Sequence, residues 1–156
     1  MRTETMHDPC VQMRPAAPDD LPSVLSLLGQ ANLPTQGVES GALSDFIVAE
    51  RDGQLVGVVG LEIYRESALL RSAAVDPKWR GTGIGRTLIE RALDLSRERG
   101  IQDVYLLTTT AEHYFPRFGF CCVNRESVPD AVRESVEFRE ACPASAVVMR
   151  KNVSGR

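Results

Sequence analysis

The chain has little of what a nucleic-acid or membrane protein needs. Its 156 residues include 18 lysines and arginines against 21 aspartates and glutamates, a net charge of −3. No general surface for nucleic acid is expected from that balance. No apolar run approaches the ~18–20 residues of a membrane span. Residues 1–10 lack the apolar segment of a secretory signal and read as a tail. Only four cysteines occur, Cys10, Cys121, Cys122 and Cys142. None forms a C-x-x-C, and adjacent cysteines such as Cys121 and Cys122 disfavour a mutual disulfide. This is the pattern of a reducing compartment, so a cytoplasmic location is expected, with the cysteines as small buried hydrophobes. His7-x-x-Cys10 has metal-like spacing but no matching second pair, so no metal is expected.

Two further absences narrow the reading of the glycine cluster Arg80-Gly81-Thr82-Gly83-Ile84-Gly85. No lysine followed by serine or threonine closes it, since Arg86-Thr87 follows, so it is no Walker A loop. The G-x-G-x-x-G fingerprint also fails: the sixth residue is Arg86 counted from Gly81 and Leu88 counted from Gly83. What is present is a strand-like run at 68–75 before the cluster and a helical stripe, Ile84, Leu88, Ala92 and Leu95, after it. Bare amides at a helix N-terminus, with Arg80 beside them, make a cradle for a pyrophosphate. The plainer alternative is a glycine-rich helix cap.

Hydrophobic residues make up 43% of the chain and charged residues 25%, enough for one sizeable core. One domain is expected over 11–152, with tails at 1–10 and 153–156. A short strand at 11–14 precedes a helix capped by Asp19 or Asp20, with Leu21, Val24, Leu25, Leu27 and Leu28 as its apolar stripe. A hairpin follows, 46–50 and 55–64, with Asp52-Gly53 as its turn signal. A second turn at 65–67 leads to the strand 68–75. After the helix come a buried strand at 103–108, a short helix at 111–118 and strands at 120–124 and 144–151. The insertion 126–143 reads as helical over 130–138, and it and the loop 32–41 should shape a pocket. A mixed α/β layout of about 6–7 mostly antiparallel strands, with helices on both faces, follows.

The spacing Arg80-x-x-Gly83-x-Gly85 resembles the acetyl-CoA signature of the GNAT acetyltransferase superfamily, and Ala111-x-x-Tyr114-Phe115-x-x-x-Gly119-Phe120 resembles a second segment of it. The order of elements is similar to the GNAT fold over nearly all of residues 11–151. Three segments, 69–72, 103–112 and 142–146, look like those of a bacterial arsenic-resistance N-acetyltransferase subfamily. A more distant likeness is to the domain that acetylates glutamate in arginine biosynthesis.

The resemblance implies that acetyl-CoA lies in a V between the fourth and fifth strands. Its pantetheine arm would pair with backbone around Ala73, Ala74 and Val75. Its pyrophosphate would meet amides of Arg80, Gly81, Thr82, Gly83, Ile84, Gly85 and Arg86. Thr109 and Phe115 are further expected cofactor contacts. The reaction is acyl transfer from a thioester to an amine, and the developing oxyanion needs a fixed donor, for which the Ala73 or Ala74 N–H is the candidate. Glu62 and Arg71 are charges in adjacent apolar strands. They are either a structural ion pair, or a base and an anchor for a substrate carboxylate, while Thr108, ending the fifth strand beside the thioester, is a further expected substrate contact. A hairpin loop at 66–67 would set Glu62 opposite Arg71. Phe115 stands where the superfamily usually has a tyrosine acid, so Tyr114 is either a displaced acid or packing, with Phe115 holding the inward direction. His113 is expected to be solvated. The expected partner is a small-molecule, amino-acid-like amine, with a homodimer left open. A peptide amine, or a weakly catalytic acetyl-CoA sensor, are the alternatives.

Overall fold

A computed structural model describes residues 10–39, 43–135, 138 and 145–154. Seven strands form one sheet: β1 (Val11–Pro15), β2 (Phe46–Arg51), β3 (Gln54–Tyr64), β4 (Ser67–Val75), β5 (Asp103–Thr108), β6 (Cys121–Cys122) and β7 (Val147–Asn152). Their order is β1-β2-β3-β4-β5-β7-β6, and every adjacent pair is antiparallel except β4 with β5. The helices are α1 (Leu21–Gln30), α2 (Ile84–Glu98) and the single turn α3 (Asp130–Arg133).

Alternation along the strands sorts the core into two faces. Ala49, Val59, Leu61 and Leu70 join Leu88, Ile89 and Ala92 of α2 on one face. Val48, Val58 and Ala74 join Val24, Leu27 and Leu28 of α1 on the other. Farther along that second face, Leu69, Tyr105 and Val148 pack with Val128, Val132 and Phe138 of the insertion. Helices thus cover both faces, as the alternation of elements predicts.

The β2–β3 turn is Asp52-Gly53, with φ of +53° and +80° as a tight hairpin requires. Phe46 pairs with Gly60, whose missing side chain makes room for the ring: a Cβ there would lie 2.3–2.6 Å from it.

Several boundaries differ from expectation. The β3–β4 loop is Arg65-Glu66, with Tyr64 paired to Ser67, so Glu62 faces Leu69 and not Arg71. Glu62 and Arg71 then share a face as diagonal neighbours, two residues apart in register. Asp20 makes no side-chain cap on α1. Its carboxylate is taken by Arg14 at 2.8 Å and by the Ala17 N–H at 2.7 Å, and Arg14 holds it below the usual carboxylate range. The expected helix at 111–118 is a 3-10 turn over Phe115–Phe118, because Pro116 lacks the N–H an α-helix would use. Strand 120–124 shrinks to Cys121–Cys122. The helix in the insertion covers only Asp130–Arg133, and much of 136–144, with Cys142, lies outside the described residues. Cys121 and Cys122 are exposed, not buried, because they lie on the edge strand.

Candidate active site

β4 and β5 pair over only three positions, Ser67–Leu69 with Asp103–Tyr105. Beyond them the strands part. β4 carries an extra residue here, since Val58 faces Ala74 while Gly60 faces Arg71. Ser72 adopts φ +62° within this bulge, an uncommon conformation for a residue with a side chain. Bulges re-aim side chains and free an amide from the ladder. A cavity of about 680 Å³ fills the V, with residues 71–75 on one wall and 106–111 on the other.

One end of the cavity is the glycine turn. Gly81 and Gly83 have φ of +80° and +92°, and Gly83 is the N-cap of α2. The first amides of a helix have no partner within it, so they are left for a ligand. Arg80, Gly81, Gly83, Gly85 and Arg86 all line the cavity. Arg80 is steadied by an Nε bond to the Val75 carbonyl at 3.2 Å. The side chains of two expected contacts turn elsewhere. The Thr82 hydroxyl donates to the Trp79 carbonyl, and Ile84 is buried in the core beneath α2. Neither lines the cavity.

Ala73, Ala74, Val75, Thr108 and Thr109 line the walls. The Thr108 hydroxyl also shapes the turn after β5, accepting from the Ala111 N–H at 2.8 Å. Phe115 is buried against Phe120, and Tyr114 packs on Phe115 and Phe118. Both line the cavity. The Tyr114 hydroxyl lies beside Gly85, 3.8 Å from where a Cβ on that glycine would stand. Burial raises its pKa, so it stays protonated at neutral pH. His113 is solvated, its side chain 94% exposed.

The other end of the cavity is Arg71. Its guanidinium is fully buried, donating from Nη1 to Glu62 Oε2 at 2.9 Å and from Nε to Ser72 Oγ at 3.1 Å. A weaker contact reaches the Pro34 carbonyl at 3.4 Å. Glu62 accepts from the Tyr64 hydroxyl on its second oxygen at 2.6 Å. Burial, and then the facing Glu62 carboxylate, raise the Tyr64 pKa. Ser135 of the insertion lies beside that phenol and acts in the opposite direction. Glu62 does not line the cavity. Its expected role as base would therefore run through water or Arg71, because it has no direct face on the cavity.

The chain matches the acetyltransferase (GNAT) domain family over residues 42–122. It belongs to the GNAT acetyltransferase family. An uncharacterized N-acetyltransferase of Chlorobaculum tepidum is 34% identical over 91 residues, which is 58% of each chain. An amino-acid acetyltransferase of Enterobacter sp. is 24% identical across 88% of this GNAT chain and 33% of its own length. N-acetylglutamate synthase from Neisseria gonorrhoeae, solved with coenzyme A and N-acetyl-glutamate, superposes with a TM-score of 0.79 at 21% identity, over 92% of this chain and 35% of its own. The GNAT chain spans about a third to three-fifths of the length of these relatives. The loop residues Ala31 to Pro34 do line the cavity. Trp79 and Arg117 line it too, and sequence reading passed over them. Arg117 lies inside the 111–120 segment, where a search for cations would have found it.

Proposed function

We propose that this GNAT protein transfers the acetyl group of acetyl-CoA to the amine of a small, amino-acid-like molecule. The observation that carries the reading is one cavity with a bare helix N-terminus at one end and a buried guanidinium at the other. The first end suits a pyrophosphate. The second has Nε and Nη1 held by Ser72 and Glu62, and a carboxylate would take the place of the weak Nη2 contact with Pro34. An acceptor bearing both carboxylate and amine would reach from Arg71 to the thioester between β4 and β5. The relatives named amino-acid acetyltransferases, and the synthase solved with coenzyme A and N-acetyl-glutamate, support the same reading.

In the proposed reaction the neutral amine attacks the thioester carbonyl. A C–N bond forms, the carbonyl oxygen takes charge beside the freed amide near Ala73, and the C–S bond breaks as the tetrahedral centre collapses. The amine's surplus proton leaves through water. Glu62 serves by holding Arg71, and Thr108 borders the acceptor. CoA thiolate is a good leaving group. The Tyr114 hydroxyl, beside Gly85, is assigned to the cofactor rather than to protonating sulfur. The narrower resemblance to arsenic-resistance enzymes rests on sequence segments alone and names no acceptor.

A thiol-release assay with acetyl-CoA and a panel of amino acids, simple amines and peptides tests this. Turnover should require an acceptor with a free carboxylate. Equal rates with amines lacking one would overturn the assignment of Arg71. Turnover confined to peptides would make this a peptide acetyltransferase. Tight acetyl-CoA binding without turnover on any amine would favour a sensor.

A further inference from the structure

Arg117 is the cation that the reading above leaves without a task. It lies within the short turn Phe115–Phe118 that Tyr114 opens, and it lines the cavity alongside Arg80 and Arg86. Its pose is fixed twice over. Nε donates to the Tyr114 carbonyl at 2.9 Å, and the guanidinium carbon stands 4.5 Å above the centre of the Tyr114 ring. Neither contact neutralises it, and no carboxylate among the described residues pairs with it. Arg86, by contrast, has Glu90 at 3.4 Å. The hydroxyl of the same tyrosine reaches Gly85 in the first turn of α2. Arg117 is therefore held about one aromatic ring away from the amides of the glycine turn.

We propose that Arg117 reads the 3′-phosphate on the ribose of coenzyme A and makes the site prefer the phosphorylated cofactor to its 3′-dephospho form. This rests on the reading that the cavity takes acetyl-CoA. The pyrophosphate and the 3′-phosphate are different problems. The first bridges two esters and lies along the chain, where helix amides meet it. The second is a terminal monoester with a charge of about −1.5 to −2 at neutral pH, and it hangs off the side of the ribose, beyond reach of those amides. It calls for a fixed cation on the facing side of the cleft mouth. An arginine with its planar fork already stacked and its Nη donors open loses little freedom in meeting it.

The test titrates CoA and 3′-dephospho-CoA into the wild type, Arg117→Gln and Arg117→Lys. Calorimetry measures it, as does fluorescence of Trp79, the chain's only tryptophan and a cavity residue. Wild type should bind CoA about tenfold tighter than the dephospho form, the worth of one partly solvated charge-assisted bond. Arg117→Gln should lose about tenfold on CoA and stay within about twofold on dephospho-CoA, which also reports that the variant is folded. Arg117→Lys should keep part of the preference, and added salt should shrink the wild-type gap. Equal losses on both ligands would overturn the proposal, because Arg117 would then be reading the pyrophosphate or merely holding its turn. So would equal affinities in the wild type. Failure of the wild type to bind either ligand would instead overturn the acetyl-CoA reading beneath it.

Discussion

On the α2 side of the cleft, the groups turned to the cavity are main-chain amides held in place by glycines within six consecutive residues. On the α1 side the corresponding feature is one buried guanidinium, held by side chains and carbonyls from separate stretches of chain: Glu62 backed by Tyr64 and Ser135, Ser72, and Pro34. The first wall is local, and any sequence that repeats the turn repeats the site. The second exists only after β3, β4, the loop after α1 and the insertion have met. It also carries a structural burden. The Arg71–Glu62 pair lies between the apolar cluster under α1 and the one under the insertion, so the core on that face is interrupted by charge, while the core under α2 runs unbroken.

The largest effect should come from breaking the side-chain wall. Arg71→Met leaves Glu62 half-buried beside apolar neighbours and should cost about 3 kcal/mol of stability by urea denaturation. The double variant Arg71→Met/Glu62→Leu should recover most of that. Equal stabilities for the wild type and the single variant would show that the pair bears no load. The next effect belongs to the backbone wall. Gly83→Glu puts a side chain on a left-handed residue and a negative charge at the N-terminus of α2. Acetyl-CoA affinity should fall by about a hundredfold, with the Arg71 end untouched. Unchanged affinity in a folded variant would remove the cradle.

A smaller change sharpens the contrast. Tyr64→Phe removes one donor from Glu62 and should cost about 1 kcal/mol. Its pH signature is specific. The Tyr64 pKa is raised in the folded state, so its contribution is complete below the unfolded value near 10 and is lost as pH rises past it. The alkaline fall in stability should therefore flatten in Tyr64→Phe, and an unchanged alkaline limb would contradict the role. Least of all should follow from Tyr114→Phe, with turnover within about threefold of wild type; a loss of about 10² or more with acetyl-CoA binding intact would make Tyr114 the acid after all.

The same contrast explains what could be read in the residues. Gly81, Gly83 and Gly85 announce their turn because left-handed backbone and close approach both demand glycine. The hairpins and the apolar stripes of α1 and α2 follow from local periodicity. Glu62 and Arg71 stood out as charges in apolar strands, yet their pairing is diagonal because the loop is Arg65-Glu66, a shift of one residue that neither strand encodes by itself. The bulge at Ser72 left no local mark. Nor did the engagement of both Glu62 oxygens, since one of the two donors, Arg71, comes from the neighbouring strand in a register set by the loop. Arg117 was legible as a cation but not as a wall of the cleft, because only the packing of Tyr114 against Gly85 brings it there.

The place of β7 between β5 and β6 bears on how the molecule is made. β5 forms one wall of the cleft, and on that side it is bonded to β4 at three positions only. Its other edge is paired along its whole length, Asp103 with Asn152 through Thr108 with Val147. Until residues 147–152 have left the ribosome, this mostly apolar strand has almost no neighbours, and an open edge of that kind invites pairing with another chain. The glycine turn is synthesised before β7, and the cleft it serves cannot be completed until β7 has emerged. Nascent chains stalled before residue 147 should be open to protease around β5, and those stalled beyond residue 152 should not.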